Sequence, residues 1–74
     1  MSHLQIKSEI PGTVWKIEAK PGDELEPDGT LLILEAMKME IPVSSPRKGR
    51  VVDIRVAEGE VAAEGQLLAV IDPT

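Results

Sequence analysis

Cysteine is absent from this 74-residue sequence, and other residues with reactive side chains are few. Its absence excludes disulfides, thiolate catalysis and cysteine-based metal sites. The single histidine, His3, lies near the N-terminus, so zinc hydrolysis and Ser-His-Asp catalysis lack the histidines that they require. Trp15 is the only aromatic residue, which leaves no platform on which bases could stack. We therefore predict no catalytic residue and no metal site.

Positive charge is also scarce. Thirteen acidic and 8 basic residues give a net charge of −5, whereas nucleic-acid binding requires a basic stripe. The basic cluster Arg47, Lys48 and Arg50 is interrupted by Gly49 and is typical of a solvated turn. No apolar run is long enough to span a membrane, and the N-terminus has no signal pattern. We expect a cytoplasmic protein with neither a nucleic-acid nor a membrane partner.

The length predicts one domain, residues 1–74, with a thin core. Such a small domain has little room for a roofed active-site cavity in addition to its core. The size therefore favours a carrier, a binding module or a subunit over a self-sufficient enzyme.

The chain contains an internal repeat, which becomes visible when the sequence is shifted by 37 residues. After Gly22 the alignment predicts that the second copy lacks one residue, so that the offset becomes 36. The matches at 37 are Leu4/Ile41, Ile6/Val43, Gly12/Gly49, Val14/Val51, Ile17/Ile54, Ala19/Val56 and Gly22/Gly59, and those at 36 are Leu25/Val61, Asp28/Glu64, Gly29/Gly65, Leu31/Leu67 and Leu32/Leu68. Glycines and apolar positions stay in register together, which chance does not explain.

Each copy is predicted to consist of short strands separated by turns that contain glycine or proline. The odd spacing from Val14 to Ile17 indicates a β-bulge. Six prolines argue against long helices. We therefore predict an all-β flattened barrel or sandwich, in which two copies related by a pseudo-twofold axis bury their apolar faces against each other.

The segment Glu35–Glu40, with the sequence Glu-Ala-Met-Lys-Met-Glu, lies at the junction of the two copies. Its residues favour a helix by propensity alone, and methionine at such spacing is commonly core filler. The counterpart segment 67–71 is too short for a stable helix, and Pro42 would end a helix soon after Lys38. We therefore predict a hairpin with Met37 and Lys38 at its tip and with both Met37 and Met39 exposed.

The same segment, with Pro-Gly-Thr-Val before it and Gly-Arg-Val after it, resembles the biotinyl domains of biotin-dependent carboxylases. The resemblance covers residues 6–72 and is highly specific in Ala36–Met39. It implies a barrel-sandwich hybrid of two four-stranded antiparallel sheets, with covalent biotin on Lys38. Pro42 replaces a residue that is polar in many members of the family, and we expect it to disturb a ladder hydrogen bond.

The resemblance also implies partners: a biotin protein ligase, and the biotin carboxylase and carboxyltransferase subunits or domains between which the carrier moves. Ala36, Met37 and Met39 would flank the biotin, with the methionines offering an adaptable surface to those enzymes. Glu35 and Glu40 would pair with basic residues of the partners, although simple solvation explains them equally well. A lipoyl-type carrier and an unmodified interaction module remain as alternatives.

The repeat makes one further prediction. The 36-residue offset places Lys38 on Thr74, and the 37-residue offset places Met39 on Ser2. A twofold axis would therefore carry the lysine hairpin onto the two chain ends. We expect the strands at 4–6 and 67–71 to be neighbours, with the termini at the opposite end of the molecule from Lys38.

Overall fold

A computed structural model describes residues 3–74, and all regular elements among these residues are β-strands. The strands are β1 (Leu4–Lys7), β2 (Gly12–Ile17), β3 (Glu24–Leu25), β4 (Thr30–Ala36), β5 (Met39–Ser44), β6 (Gly49–Ile54), β7 (Val61–Ala62) and β8 (Leu67–Pro73). Within residues 3–74 we find no helix with the length and apolarity needed to cross a membrane. The predicted all-β class is confirmed.

The strands form two four-stranded antiparallel sheets. The first sheet has the order β1-β8-β6-β3, and the second has the order β5-β4-β2-β7. Each sheet therefore takes two strands from each copy of the repeat. Because each sheet contains strands of both copies, neither copy can bury its apolar face alone.

The core lies between the two sheets and is built almost entirely from aliphatic side chains. Buried and exposed residues alternate over parts of the central strands, as expected for strands with one buried face. At register shifts, β4 and β8 each bury two consecutive residues, Leu31–Leu32 and Leu68–Ala69. The fully or almost fully buried side chains at its centre are Val14, Leu31, Leu32, Leu34, Val51, Leu68 and Ile71. Both copies contribute to this one core, as predicted. Val61, one of the repeated apolar positions, is 71% exposed and does not belong to the core.

The predicted bulge is confirmed, and it occurs twice. The register shifts between Val14 and Lys16 in β2, and between Val51 and Asp53 in β6, which is the same position in the second copy. A bulge places two residues of one strand opposite a single residue of its neighbour and increases the local twist. Trp15 and Val52 are the extra residues at these two positions, and both are exposed.

The predicted change of offset from 37 to 36 is wrong, because the two copies are equivalent at 37 residues throughout. Asp28 and Gly65 both have positive φ, at 68° and 83°. The Asp28 amide donates to the Ser45 carbonyl, and the Gly65 amide donates to the Ser8 carbonyl. The two donors are 37 residues apart in the sequence, and so are the two acceptors. The sequence misled because Asp28, which tolerates the left-handed region, occupies the position that glycine has in the second copy.

The first and last strands are neighbours, as the repeat predicted. β1 pairs antiparallel with β8, with Leu4 opposite Ile71. At an offset of 37 the residue equivalent to Thr74 is Met37, not Lys38, and Ser2, the predicted counterpart of Met39, lies outside the described residues. β1 runs away from the chain ends, and the connection after it leads to Gly12, which lies beside Ala36. Leu4, paired with Ile71, and the lysine hairpin therefore lie toward opposite ends of a molecule about 35 Å long.

Pro42 does not disturb the ladder in the way we predicted. It lies in β5, an edge strand that pairs with β4 alone, opposite Ile33. In a two-residue hairpin the residues flanking the turn exchange hydrogen bonds, and the next pair does not. Counting from Ala36 and Met39, Pro42 falls on a non-hydrogen-bonded pair. Because proline has no backbone N–H, Pro42 instead removes a hydrogen-bond donor from the outer edge of β5. The loss of this donor protects the edge against pairing with another chain.

Candidate functional site

The site predicted from the sequence is the turn between β4 and β5. Ala36 is paired with Met39, so Met37 and Lys38 form a two-residue turn, and the predicted hairpin is confirmed. Both turn residues have positive φ, 53° at Met37 and 64° at Lys38, which is the type I′ arrangement. The helix that local propensity favours does not form, because strand pairing on both sides of the turn outweighs it.

This turn carries backbone strain, because type I′ turns favour asparagine and glycine. A residue of any other kind in the left-handed region costs on the order of 1 kcal/mol. The strain is held by the long β4–β5 pairing, which extends from Thr30 and Ser44 to the turn. A lysine is thereby fixed at the outermost point of the hairpin.

Gly12 supports the base of the hairpin from β2. A Cβ atom added there would lie 3.0 Å from the Glu35 carbonyl oxygen and 3.3 Å from the Ala36 Cβ. The absence of a side chain lets β2 approach the last residues of β4 closely. The sequence marks Gly12 by the recurrence of glycine at its counterpart, Gly49, but it does not indicate the contact with β4.

The predicted exposure of the two methionines is confirmed. The exposed fraction is 92% for Met37 and 63% for Met39, and Lys38 between them is exposed as well. Methionine is usually buried, so two exposed methionines beside one lysine are unusual for a surface chosen by solubility alone. Ala36 is half-buried at the base of the turn.

The two glutamates of the motif face each other across the hairpin. Glu35 pairs with Glu40 in the ladder, and both are exposed on the outer face of the second sheet. Like charges directly opposite each other destabilise a sheet. The ion pairs among residues 3–74 join Arg50 to Glu24 and Arg55 to Asp53, so this chain supplies no cation to Glu35 or Glu40.

The strain in the turn predicts a stability gain when it is removed. The double variant Met37→Asn, Lys38→Gly is expected to be more stable than the natural sequence by about 1–2 kcal/mol, because it places the preferred residues of a type I′ turn at both positions. Urea denaturation measures the difference. As a control, Met37→Ala keeps the strain and should change stability by less than about 0.5 kcal/mol. An equal or lower stability of the double variant would contradict the strain argument.

The chemistry available at this hairpin is that of one exposed primary amine. Lys38 takes part in no ion pair within the described residues, and those residues contain no group of side chains suited to hold a metal ion. An amine at an exposed turn can form an amide bond with a carboxylic acid that another protein delivers. The hairpin therefore fits a covalently attached prosthetic group such as biotin.

Comparison with known proteins agrees with this geometry. The family model described as "Biotin-requiring enzyme" matches residues 5–71. The biotin/lipoyl attachment protein of Bacillus subtilis is 37% identical over 65 residues, which cover 88% of this chain and 89% of that protein. Urea amidolyase of Saccharomyces cerevisiae is 39% identical over 67 residues, which cover 90% of this chain but 4% of that enzyme.

Solved structures show the same fold. Urea carboxylase of Kluyveromyces lactis superposes on 97% of this chain with a TM-score of 0.92 and 35% identity, although the match covers 6% of that enzyme. The lipoyl domain of the 2-oxoglutarate dehydrogenase complex from Azotobacter vinelandii superposes on 93% of this chain with a TM-score of 0.80 and 25% identity. The chain thus matches nearly the whole of some small relatives and a small part of large enzymes.

Proposed function

Because this chain belongs to the family of biotin-requiring enzyme domains, we propose that it is a biotin carboxyl carrier with biotin attached to Lys38. The observation that carries the proposal is the position of Lys38, exposed between Met37 and Met39 on a strained turn at one end of the molecule. A lysine kept in an unfavourable backbone conformation, where glycine would be more stable, indicates a role outside folding.

A biotin protein ligase attaches the group in this proposal. The Lys38 Nζ, as a neutral amine, attacks the carbonyl carbon of an activated biotinyl ester. The N–C amide bond forms, the C–O bond to the leaving group breaks, and the ligase accepts the proton that the amine loses. Met37 and Met39 offer the ligase an adaptable apolar surface on either side of the reacting amine.

The carrier contributes position rather than catalysis. When bound, biotin supplies a site that takes up a carboxyl group from one enzyme and releases it to another. The protein links that site to the end of a flexible lysine stem, which makes each visit effectively intramolecular and raises the local concentration to roughly mM. The biotin carboxylase and carboxyltransferase partners provide the reacting groups, so the carrier needs no catalytic residue of its own.

Co-expression with a biotin protein ligase tests this function. The purified chain should gain the mass of one biotinyl group, bind avidin, and change its net charge from −5 to about −6, because acylation removes the charge of one lysine. A lipoyl group of different mass would favour the second candidate, a lipoyl carrier, which the structural match to a lipoyl domain keeps open. An unmodified chain would contradict both the biotin carrier and the lipoyl carrier. The remaining candidate would then be an unmodified interaction module.

A further inference from the structure

The pseudo-twofold axis gives this molecule two matched outer surfaces. The outer face of the second sheet extends up to the Lys38 hairpin, whereas the outer face of the first sheet extends to the chain ends. The two faces have the same strands, bulges and registers at an offset of 37 residues. Equivalent positions on the two faces can therefore be compared directly.

Apolar side chains are concentrated on the face beside the lysine. Val61, on β7, is 71% exposed, whereas its counterpart on the first sheet is Glu24. Pro42 is exposed where the first sheet has Gln5. At the bulge the second sheet carries Trp15, the only tryptophan of the chain and 49% exposed, in the place of Val52. An exposed tryptophan with apolar neighbours is typical of an interaction surface.

The two faces also differ in charge, because a cation on the first sheet has no equivalent on the second. On the first sheet Arg50 lies between Glu24 and Asp72 in the ladder and forms an ion pair with Glu24 at 3.3 Å. On the second sheet the position of Arg50 is occupied by Thr13. The row Val61–Thr13–Glu35–Glu40 therefore has two carboxylates and no cation.

The next row of the second sheet, further from the hairpin, completes the face. Ile33 is half-buried at its centre, with Pro42 on one side and the bulge residues Trp15 and Lys16 on the other. Lys16 is the one cation among the residues of this row, and it is exposed. The face thus combines an apolar area with an acidic margin on the side of the lysine hairpin.

We propose that the outer face of the second sheet is the surface by which this carrier docks on the biotin carboxylase that acts on it, an inference that rests on the proposed function. The complementary surface of the enzyme has an apolar pocket that receives the Trp15 indole and basic side chains that face Glu35 and Glu40. Opposite charges across such an interface steer encounter and fix orientation. A shuttling carrier requires a weak, transient complex of this kind.

The distance from this face to the lysine is compatible with catalysis in the docked complex. Pro42 lies four positions after Lys38, which is about 13 Å along a strand. A lysine side chain extended by biotin spans a similar length. An enzyme that covers Trp15 therefore has its active site within reach of the biotin without releasing the carrier.

Fluorine NMR with 5-fluorotryptophan incorporated into the biotinylated carrier tests docking without relying on turnover. The single Trp15 resonance should shift or broaden when an unlabelled biotin carboxylase that accepts this carrier is added. The matched control is the double variant Trp15→Val, Val52→Trp, which moves the indole to the equivalent position of the first sheet. Its resonance should not respond. Equal responses at both positions, or none at position 15, would overturn the proposal.

Steady-state kinetics with the same carboxylase provides a second measurement. Trp15→Ser and Val61→Ser should each raise the KM for the carrier about tenfold with little change in kcat, as expected for truncated anchor residues. Val52→Ser should change KM less than twofold. Equal effects of Trp15→Ser and Val52→Ser would refute the docking surface. A natural chain that carries no biotin would instead refute the proposed function, so the two failures are distinguishable.

Discussion

Lys38→Arg is expected to abolish biotinylation completely while leaving the domain folded. Arginine keeps the positive charge and the length of the side chain, but its guanidinium does not serve as the acylated amine. The position is exposed, so the thermal midpoint should move by no more than about 3 °C. Avidin blotting and intact-mass measurement, after co-expression with a ligase, determine the extent of labelling.

The control for this variant is Lys7→Arg, on edge strand β1. Lys7 is also an exposed lysine, but it lacks the methionine neighbours and the protruding turn. Labelling of Lys7→Arg should equal that of the natural sequence. Persistent labelling of Lys38→Arg would assign the biotin to another lysine and would invalidate the site.

Gly49→Ala is expected to destabilise the domain by about 3 kcal/mol or more, which corresponds to a fall of about 15 °C in the thermal midpoint. A Cβ at Gly49 would lie 2.7 Å from the Asp72 carbonyl oxygen and 2.7 Å from Ile71 Cγ2. Both neighbours belong to β8, the strand paired with β1 and β6, and Ile71 is fully buried. Neither can move without disturbing the core. Urea denaturation gives the free energy of unfolding.

The repeat supplies the control for this substitution. Gly12 is the equivalent glycine of the first copy, and its added Cβ would meet neighbours at 3.0 Å or more. Neither glycine has a positive φ, so space and not backbone conformation distinguishes the two. Gly12→Ala should therefore cost only about 1 kcal/mol. Similar losses for both variants would show that the contacts of Gly49 are not the cause.

Much of this architecture follows from the sequence because the repeat and the alternation of apolar residues report the same strands. The paired positions Val14 and Val51 identify both the core and the bulges, and both are confirmed. Local propensity favours a helix at Met37–Lys38. The hairpin was predictable only because the equivalent segment 67–71 is too short for a stable helix and Pro42 would end one. The exposure of Met37 and Met39 followed from placing them at its tip.

Other features required coordinates because they depend on contacts between distant residues. Asp28 occupies the positive-φ position that Gly65 has in the second copy, and Gly29 follows it directly. The sequence alignment therefore matched Gly29 to Gly65 and inserted a gap that the fold does not have. The supporting role of Gly12 arises from its closeness to Glu35, which no local pattern reports. Trp15 and Val61 look like ordinary strand residues until the pairing of β2 with β7 places both on one outer face.

The exchange of strands between the two sheets has a consequence for the order of events during synthesis. β8, which ends at Pro73, pairs with both β1 and β6, so the first sheet cannot assemble until β8 has left the ribosome. The nascent chain is therefore unfolded when Lys38 emerges, and the core that fixes the lysine hairpin forms only later. On the proposed function, a ligase that recognises the folded hairpin would act only after the whole domain has been translated, so folding would determine when biotin is attached.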